Sequence, residues 1–320
     1  MTSATAAATY AGPRILHDGL LRYLVSYREH QGFHDNTLWS TYAPVEAYGN
    51  PRSPIPVPAS SGIPRPLGSL IITLPFNDRE AFERMMFSYG HLLAAVITEP
   101  CQGNCGAILP EPGFLELIQQ KCAEYGSLFI LDEVKTGFRI ANGGAQEYYG
   151  LKPDLMTYAK ALGNGYPAAA FGGKKEVMSI IGCGVAQGGT YTNNKPGVAG
   201  AWATLKMLKE KPILKTIEGR GKRLMAGLSQ ILSDEGLVHC MNGYPAMFTY
   251  ALGVEKVTSQ RNWNESDKDL YLKIIAELID RGVMPDNDAR EPWFLCYAHS
   301  DKDIDDTLTA FRESVKACKK

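Results

Sequence analysis

The sequence predicts an α/β protein: a mostly parallel, doubly wound sheet, followed by a smaller α+β unit at the C-terminus. Three observations carry this. The short apolar runs LLAAVITEP and SLFILDE do not alternate with polar residues, which is the composition of strands buried on both faces. Segments with helical periodicity lie between such runs, so strands and helices alternate along the chain. Past Pro212 the pattern changes to long amphipathic helices with few strands between them.

Residues 36–75 are rich in Pro, Ser, Tyr and Gly, as in PRSPIPVPASSGIPRPLG, and read as a long ordered excursion or loop. NDREAFERMMFSYG then reads as a helix with an Asn or Asp cap, LLAAVITEP as a buried strand, and GFLELIQQKCAEYG as a helix stopped by glycine. SLFILDE is the next strand, followed by DLMTYAK and AAAFGG, and KPGVAGAWATLKMLKEK is a long helix. Beyond it, helices are predicted over roughly 213–234, 265–282 and 301–318, with short strands around 246–252 and 293–298. The division is therefore placed as a large domain over 1–212 and a small one over 213–320, with no internal repeat.

With 320 residues and 45% hydrophobic content the chain can bury a substantial core, and its net charge of −1 argues against nucleic acid or an acidic membrane surface as partner. No apolar run reaches transmembrane length, and the start MTSATAAATYAGPR lacks the basic and apolar regions of a secretory signal, so the expected compartment is cytoplasmic. Seven dispersed cysteines do not make a secreted disulfide framework. Cys101 and Cys105, in EPCQGNCGAILP, raise the question of a metal. Neither a second cysteine pair nor a histidine cluster at zinc spacing accompanies them, so loop and core thiols are expected and no metal site.

Two residues carry the chemistry. Asp132 closes the apolar run LFIL, and Lys160 closes DLMTYA just before the turn Gly163-Asn164-Gly165-Tyr166-Pro167. At the ends of parallel strands, both would lie on the carboxyl edge of the sheet, where open α/β folds bind ligands. A buried carboxylate and an amine are the two groups that a pyridoxal phosphate (PLP) site requires. The amine forms the Schiff base, and the carboxylate keeps the pyridine nitrogen protonated so that the ring accepts electrons. Taken singly, Asp132 is equally explained as a capping or strand-end acid and Lys160 as a solvated lysine opening a helix. Val134 shares the strand face of Asp132 by the two-residue period.

The stretch LDEVKTGFRIANGGAQEYYGLKPDLMTYAKALGNGYPAAAFGGKKEVM resembles the class III aminotransferases of PLP fold type I, most of all the glutamate-1-semialdehyde 2,1-aminomutase branch. The resemblance runs from about residue 30 to the end and includes WFLCYAHSDKDIDDTLTAF. It implies a PLP-dependent aminotransferase or aminomutase, with transfer through pyridoxamine phosphate to an oxo acid or back to the same carbon skeleton. Lys160 is then the Schiff-base lysine and proton carrier, Asp132 the partner of the pyridine nitrogen, and Val134 an aliphatic packed on one face of the ring.

The same resemblance assigns further residues. Phe33 and His34, in HQGFHDN, are similar to the family's aromatic-His pair, in which the aromatic covers the other ring face, although Asp35 stands where the family has glycine. A surface aromatic is the competing explanation there. Glu99, followed by Pro100, resembles the strand-end Glu-Pro near the cofactor's hydroxyl edge, with a capping acid as the alternative. Gly189 and Thr190 resemble the Gly-Thr that reaches a neighbouring subunit's cofactor phosphate, although Asn193-Asn194-Lys195 replace the Gly-Asn-Pro that follows in the family. This implies a homodimer acting on small-molecule amino donors and acceptors. Arg139 either pairs with an acid or holds a substrate carboxylate. The family carries a further upstream portion with a phosphate-binding Gly-Ser/Thr turn, of which Thr2 or Ser3 is the expected remnant. A non-catalytic homologue acting as a binding or interaction subunit is therefore the competing expectation.

Overall fold

The computed structural model of the protein describes residues 23–26, 35–41, 44–183, 185–192 and 194–319, so Thr2, Ser3, Phe33, His34 and Asn193 lie outside the described residues. The chain divides into two compact units, Met1–Pro100 with Pro110–Lys209, and Cys101–Leu109 with Glu210–Lys320.

The first unit is built on strands β1 (Tyr23–Ser26), β2 (Ile71–Thr73), β3 (Leu93–Thr98), β4 (Leu128–Asp132), β5 (Leu155–Tyr158) and β6 (Ala170–Gly173). Its described helices are α1 (Arg79–Tyr89), α2 (Phe114–Tyr125), α3 (Gly144–Tyr149), α4 (Lys175–Met178) and α5 (Lys195–Glu210). The strands form one sheet in the order β2-β1-β3-β4-β5-β6, parallel apart from the antiparallel edge strand β6. Every residue of β3 and β4 is buried, as strands covered on both faces must be. Helix starts and stops follow local chemistry: the Asp78 carboxylate accepts the Ala81 amide at 2.8 Å to open α1, and Gly126, at φ 70°, closes α2.

The proline-rich excursion folds onto this sheet. Leu38, Trp39 and Ile63 join Ile71, Ala95, Ile97, Leu128, Ile130, Leu155 and Val177 in one buried cluster. Each such side chain contributes about 1.5–3 kcal/mol through burial, which is why a segment of this composition is ordered. Two short 3-10 turns, Val45–Tyr48 and Arg65–Leu70, lie within it. Its end supplies β2, a strand that the composition did not reveal because it is only 3 residues long.

The second unit contains α6 (Ile213–Asp234), β7 (His239–Tyr244), β8 (Met247–Leu252), α7 (Gln260–Asn264), α8 (Lys268–Asp280), β9 (Trp293–Phe294) and α9 (Asp301–Cys318). The strands make an antiparallel sheet in the order β7-β8-β9. Aromatic rings fill its core: Tyr250 meets Phe311 edge-on at 5.4 Å and Tyr271 at 4.8 Å, and Trp293 Nε1 donates to the Tyr271 hydroxyl at 3.0 Å. The segment Cys101–Leu109 belongs to this unit, anchored where Asn242 Nδ2 donates to the Gly106 carbonyl at 3.2 Å. Cys101 and Cys105 lie buried within it.

Candidate active site

Three neighbouring parallel strands end side by side, and each delivers one of the expected groups. Thr98 of β3 pairs with Leu131 of β4, which sets Glu99 beside Asp132 along the edge. Asp132 in turn pairs with Thr157 of β5, and Lys160 follows that strand. Glu99 and Asp132 are buried, at 4% and 2% exposure, whereas Lys160 is exposed on the same edge. The register of the sheet, set by the apolar runs upstream, thus brings the two acids and the lysine to the same carboxyl edge.

The Asp132 carboxylate is fixed by two donors on one oxygen. Thr157 Oγ1 donates to Oδ1 at 2.8 Å across the strand pair, and the Val134 amide donates to it at 3.0 Å. Hydrogen bonds to an ionised group are about twice as strong as neutral ones, so the carboxylate is oriented before any ligand arrives. Here one sequence expectation is corrected. β4 ends at Asp132 and Val134 lies in the turn beyond it, so the two-residue strand period does not extend to Val134. The amide bond to Asp132, not a shared strand face, fixes its place.

Lys160 starts a single 3-10 turn, Lys160–Leu162, with φ 43°, a left-handed backbone that costs a non-glycine residue about 1–2 kcal/mol. Its carbonyl accepts the amides of Gly163 at 3.2 Å and Asn164 at 3.1 Å, which holds the turn shut. Only glycine fits at 163, because a Cβ there would overlap the Tyr166 carbonyl. The start of α5 packs on the same turn. Asn194 Nδ2 donates to the Pro167 carbonyl at 3.2 Å, and a Cβ on Gly197 would stand 2.6 Å from that oxygen. Gly189 and Thr190 lie just ahead of this helix and are exposed. The bonds of their loop run within it: Thr192 Oγ1 donates to the Gly189 carbonyl at 2.7 Å.

Two residues at this edge escaped the sequence reading. One is Thr157, whose bond to Asp132 spans two strands. The other is Glu133, fully buried beside Asp132. Its carboxylate accepts the Ala145 amide at 2.6 Å, the Gln146 amide at 3.3 Å and the Thr136 hydroxyl at 3.1 Å. Glu133 therefore ties the TGFR loop and the start of α3 to the end of β4. Burial pushes its pKa up to about 7, against the pull of those three donors and with a small push from Asp132. The adjoining Tyr158 hydroxyl is raised to about 12, chiefly by burial and then by Glu133, and its ring stacks at 5.2 Å on Phe138. Arg139, at the end of the same loop, is half-buried.

An oriented acid and an exposed lysine on adjacent strand ends of an open α/β sheet suit PLP. A buried carboxylate is stable beside a pyridinium, and an accessible amine can reach an aldehyde. Such an arrangement is what a PLP-dependent transferase requires. The Aminotransferase class-III family profile matches residues 57–314, and the chain belongs to that family. It is 36% identical over 298 residues to the glutamate-1-semialdehyde 2,1-aminomutase of Aquifex aeolicus, covering 92% of this chain and 69% of that enzyme. A Thermus thermophilus enzyme of the same name is 37% identical over 297 residues, covering 92% and 68%. Among solved structures, an omega-transaminase from Sphaerobacter thermophilus superposes with a TM-score of 0.87 at 26% identity, covering 100% of this chain and 74% of that one. A glutamate-1-semialdehyde aminomutase from Pseudomonas aeruginosa shares the fold at a TM-score of 0.83 and 21% identity, covering 99% and 71%. The fold is that of PLP-dependent transferases of fold type I, and the chain is a PLP-dependent enzyme of the class III family.

Proposed function

We propose that the edge formed by Glu99, Asp132 and Lys160 holds PLP and moves an amino group, as an aminotransferase or aminomutase acting on glutamate-1-semialdehyde or a closely related amino compound. The observation that carries this is the Thr157–Asp132 bond, which orients a buried carboxylate one strand away from the exposed Lys160. The cofactor supplies an aldehyde that condenses with amines and a ring that accepts electrons. Asp132 would hold the proton on the pyridine nitrogen, while the Thr157 hydroxyl and the Val134 amide keep its carboxylate aligned. With the cofactor bound, Lys160 Nζ would hold it, and the same amine would take a proton from the substrate carbon and return it. The resemblance would set Glu99 toward the cofactor's hydroxyl edge and Val134 against one face of the ring. The resemblance assigns the other face to Phe33 and His34.

Gly189 and Thr190 are proposed to contact the cofactor phosphate of a second subunit in a homodimer. Supporting this, Val198, Trp202 and Leu205 recur at helical spacing on α5 and are 60%, 65% and 41% exposed, an apolar stripe suited to a partner. The first unit, which takes in most of 1–212, is proposed as the cofactor-binding domain, and the second, Glu210–Lys320 with Cys101–Leu109, as the small domain. Among the described residues no helix is long and apolar enough to cross a membrane, and a cytoplasmic location is proposed. The test is turnover of glutamate-1-semialdehyde with added PLP, read as the isomer whose amino group has moved from carbon 2 to carbon 1. Lys160→Ala is expected to lower turnover at least about a thousandfold and Asp132→Asn at least about a hundredfold, in the range of lost acid–base and electrostatic catalysis. Unchanged turnover in Lys160→Ala overturns the assignment.

A further inference from the structure

The charged side chains buried among the described residues are Glu99, Asp132, Glu133 and Lys135, and all of them lie at or just beyond the ends of β3 and β4. Burying charge is costly unless each group is paired or hydrogen-bonded, so this concentration needs a reason beyond packing. Glu133 takes no part in the reaction proposed above, yet three donors converge on its carboxylate. Oε2 accepts the Thr136 hydroxyl at 3.1 Å from within the TGFR loop and the Ala145 amide at 2.6 Å from the start of α3. The Gln146 amide donates to Oε1 at 3.3 Å. The carboxylate fills its site so closely that a Cβ on Gly144 would stand 2.3 Å from Oε2.

The main chain of Glu133 is held as well. Its amide donates to the Thr157 carbonyl at 3.0 Å, and its carbonyl accepts the Gly137 amide at 2.9 Å, which closes the turn 133–137. Val134, whose amide donates to Asp132, lies inside that turn. The other end of the turn reaches β5. A Cβ on Gly137 would stand 2.7 Å from the Tyr158 ring, and the Phe138 ring lies 5.2 Å from the same ring. Phe138 has φ 61°, a left-handed backbone that persists only where surrounding contacts impose it. The next non-glycine residue in that conformation is Lys160, just beyond Tyr158. One turn therefore contacts the acid on β4 and the strand that leads to the lysine, and the Glu133 carboxylate ties that turn to α3.

Resting on the reading of this edge as a PLP site, we propose that Glu133 is a positioning residue for the amino transfer. With Thr136 it locks the turn 133–138, so that the Val134 amide stays on Asp132 and the Phe138 ring stays on Tyr158. It acts only through those residues. Glu133→Gln brings an NH2 group against donors that now meet a carboxylate oxygen. Thr136→Val removes the hydroxyl bond from the turn and leaves the two α3 amides in place.

The experiment titrates the full chain with PLP in the absence of substrate, then follows the visible absorption band of the bound cofactor against pH. Loss of one bond to a charged group is expected to weaken PLP binding at least about tenfold in either variant. A protonated ring draws electrons from the Schiff-base nitrogen. A ring proton held less firmly by Asp132 should therefore let that nitrogen keep its own proton to higher pH, moving the band's titration up by about one unit. Thr136→Ser is expected to restore both readouts. A loss of stability alone would lower the denaturant midpoint and leave the band's titration where it was. A folded Glu133→Gln or Thr136→Val protein with wild-type PLP affinity and an unmoved titration overturns the proposal and leaves Lys160 as the cofactor lysine. If Glu133→Gln fails to fold, Thr136→Val decides. A wild type that yields no borohydride-fixed pyridoxyl adduct overturns the reading of the edge, and this proposal with it.

Discussion

Thr157 is three residues upstream of Lys160 and donates across β4 and β5 to Asp132, the acid proposed to serve the pyridine nitrogen. Hydrogen bonds to charged groups contribute about 1.5–3 kcal/mol, so Thr157→Val is predicted to lower turnover by about tenfold to a hundredfold. Restored activity in Thr157→Ser would attribute the loss to the hydroxyl. Glu133 makes a prediction in pH. Its folded pKa of about 7 lies above its ordinary value of 4.5, so the folded state keeps a proton that the unfolded chain has released. Its contribution to stability is complete below the unfolded value and is lost as pH rises through about 7. Unfolding free energy should thus fall between those limits by up to about 1.4 kcal/mol per unit, and Glu133→Gln should flatten that slope in denaturant titrations. The position of Asp132 and Lys160 at the carboxyl edge of the sheet was legible in the sequence because each follows a strand-forming run. Thr157 was not, because its role depends on a register between positions 25 residues apart. Nor was Glu133, which reads as one more strand-end acid until its three donors are seen.

At the scale of elements, long periodic segments were readable and short ones were not. The helix predicted over 213–234 is α6, and that over 301–318 is α9, since each runs for several turns with an unbroken apolar face. β7, HCMNGY, was missed because its residues are mostly half-buried and give no alternation, and the strand predicted over 293–298 shrinks to Trp293–Phe294. The excursion over 36–75 was read as ordered, but its part in the core depends on Leu38, Trp39 and Ile63, which no periodic pattern marks. In the second unit, the Tyr250 hydroxyl is buried among Tyr271, Trp293 and Phe311 and makes no hydrogen bond among the described residues. Burying a hydroxyl without a partner costs about 1–3 kcal/mol. Tyr250→Phe is therefore predicted to leave stability unchanged or raise it by about 1 kcal/mol in chemical denaturation. A clear loss would show that the hydroxyl has a bonding role.

For the molecule as a whole, the family assignment rests on a match over residues 57–314, which takes in both compact units. The sequence division at Pro212 and the structural change of unit at Glu210 fall close together, where one long helix gives way to another. The assignment of Cys101–Leu109 to the second unit was invisible to a reading along the chain, because its contacts are with residues more than a hundred positions later, as in the 136-residue span from Gly106 to Asn242. Everything proposed for the reaction depends on Lys160, beside an oriented Asp132, carrying the cofactor. The most direct test is to incubate the purified protein with PLP, reduce with borohydride and map the modified peptide by mass. A pyridoxyl adduct on Lys160, absent in Lys160→Ala, is the predicted result. A folded protein that yields no adduct, or one whose adduct maps to another lysine, would contradict the account.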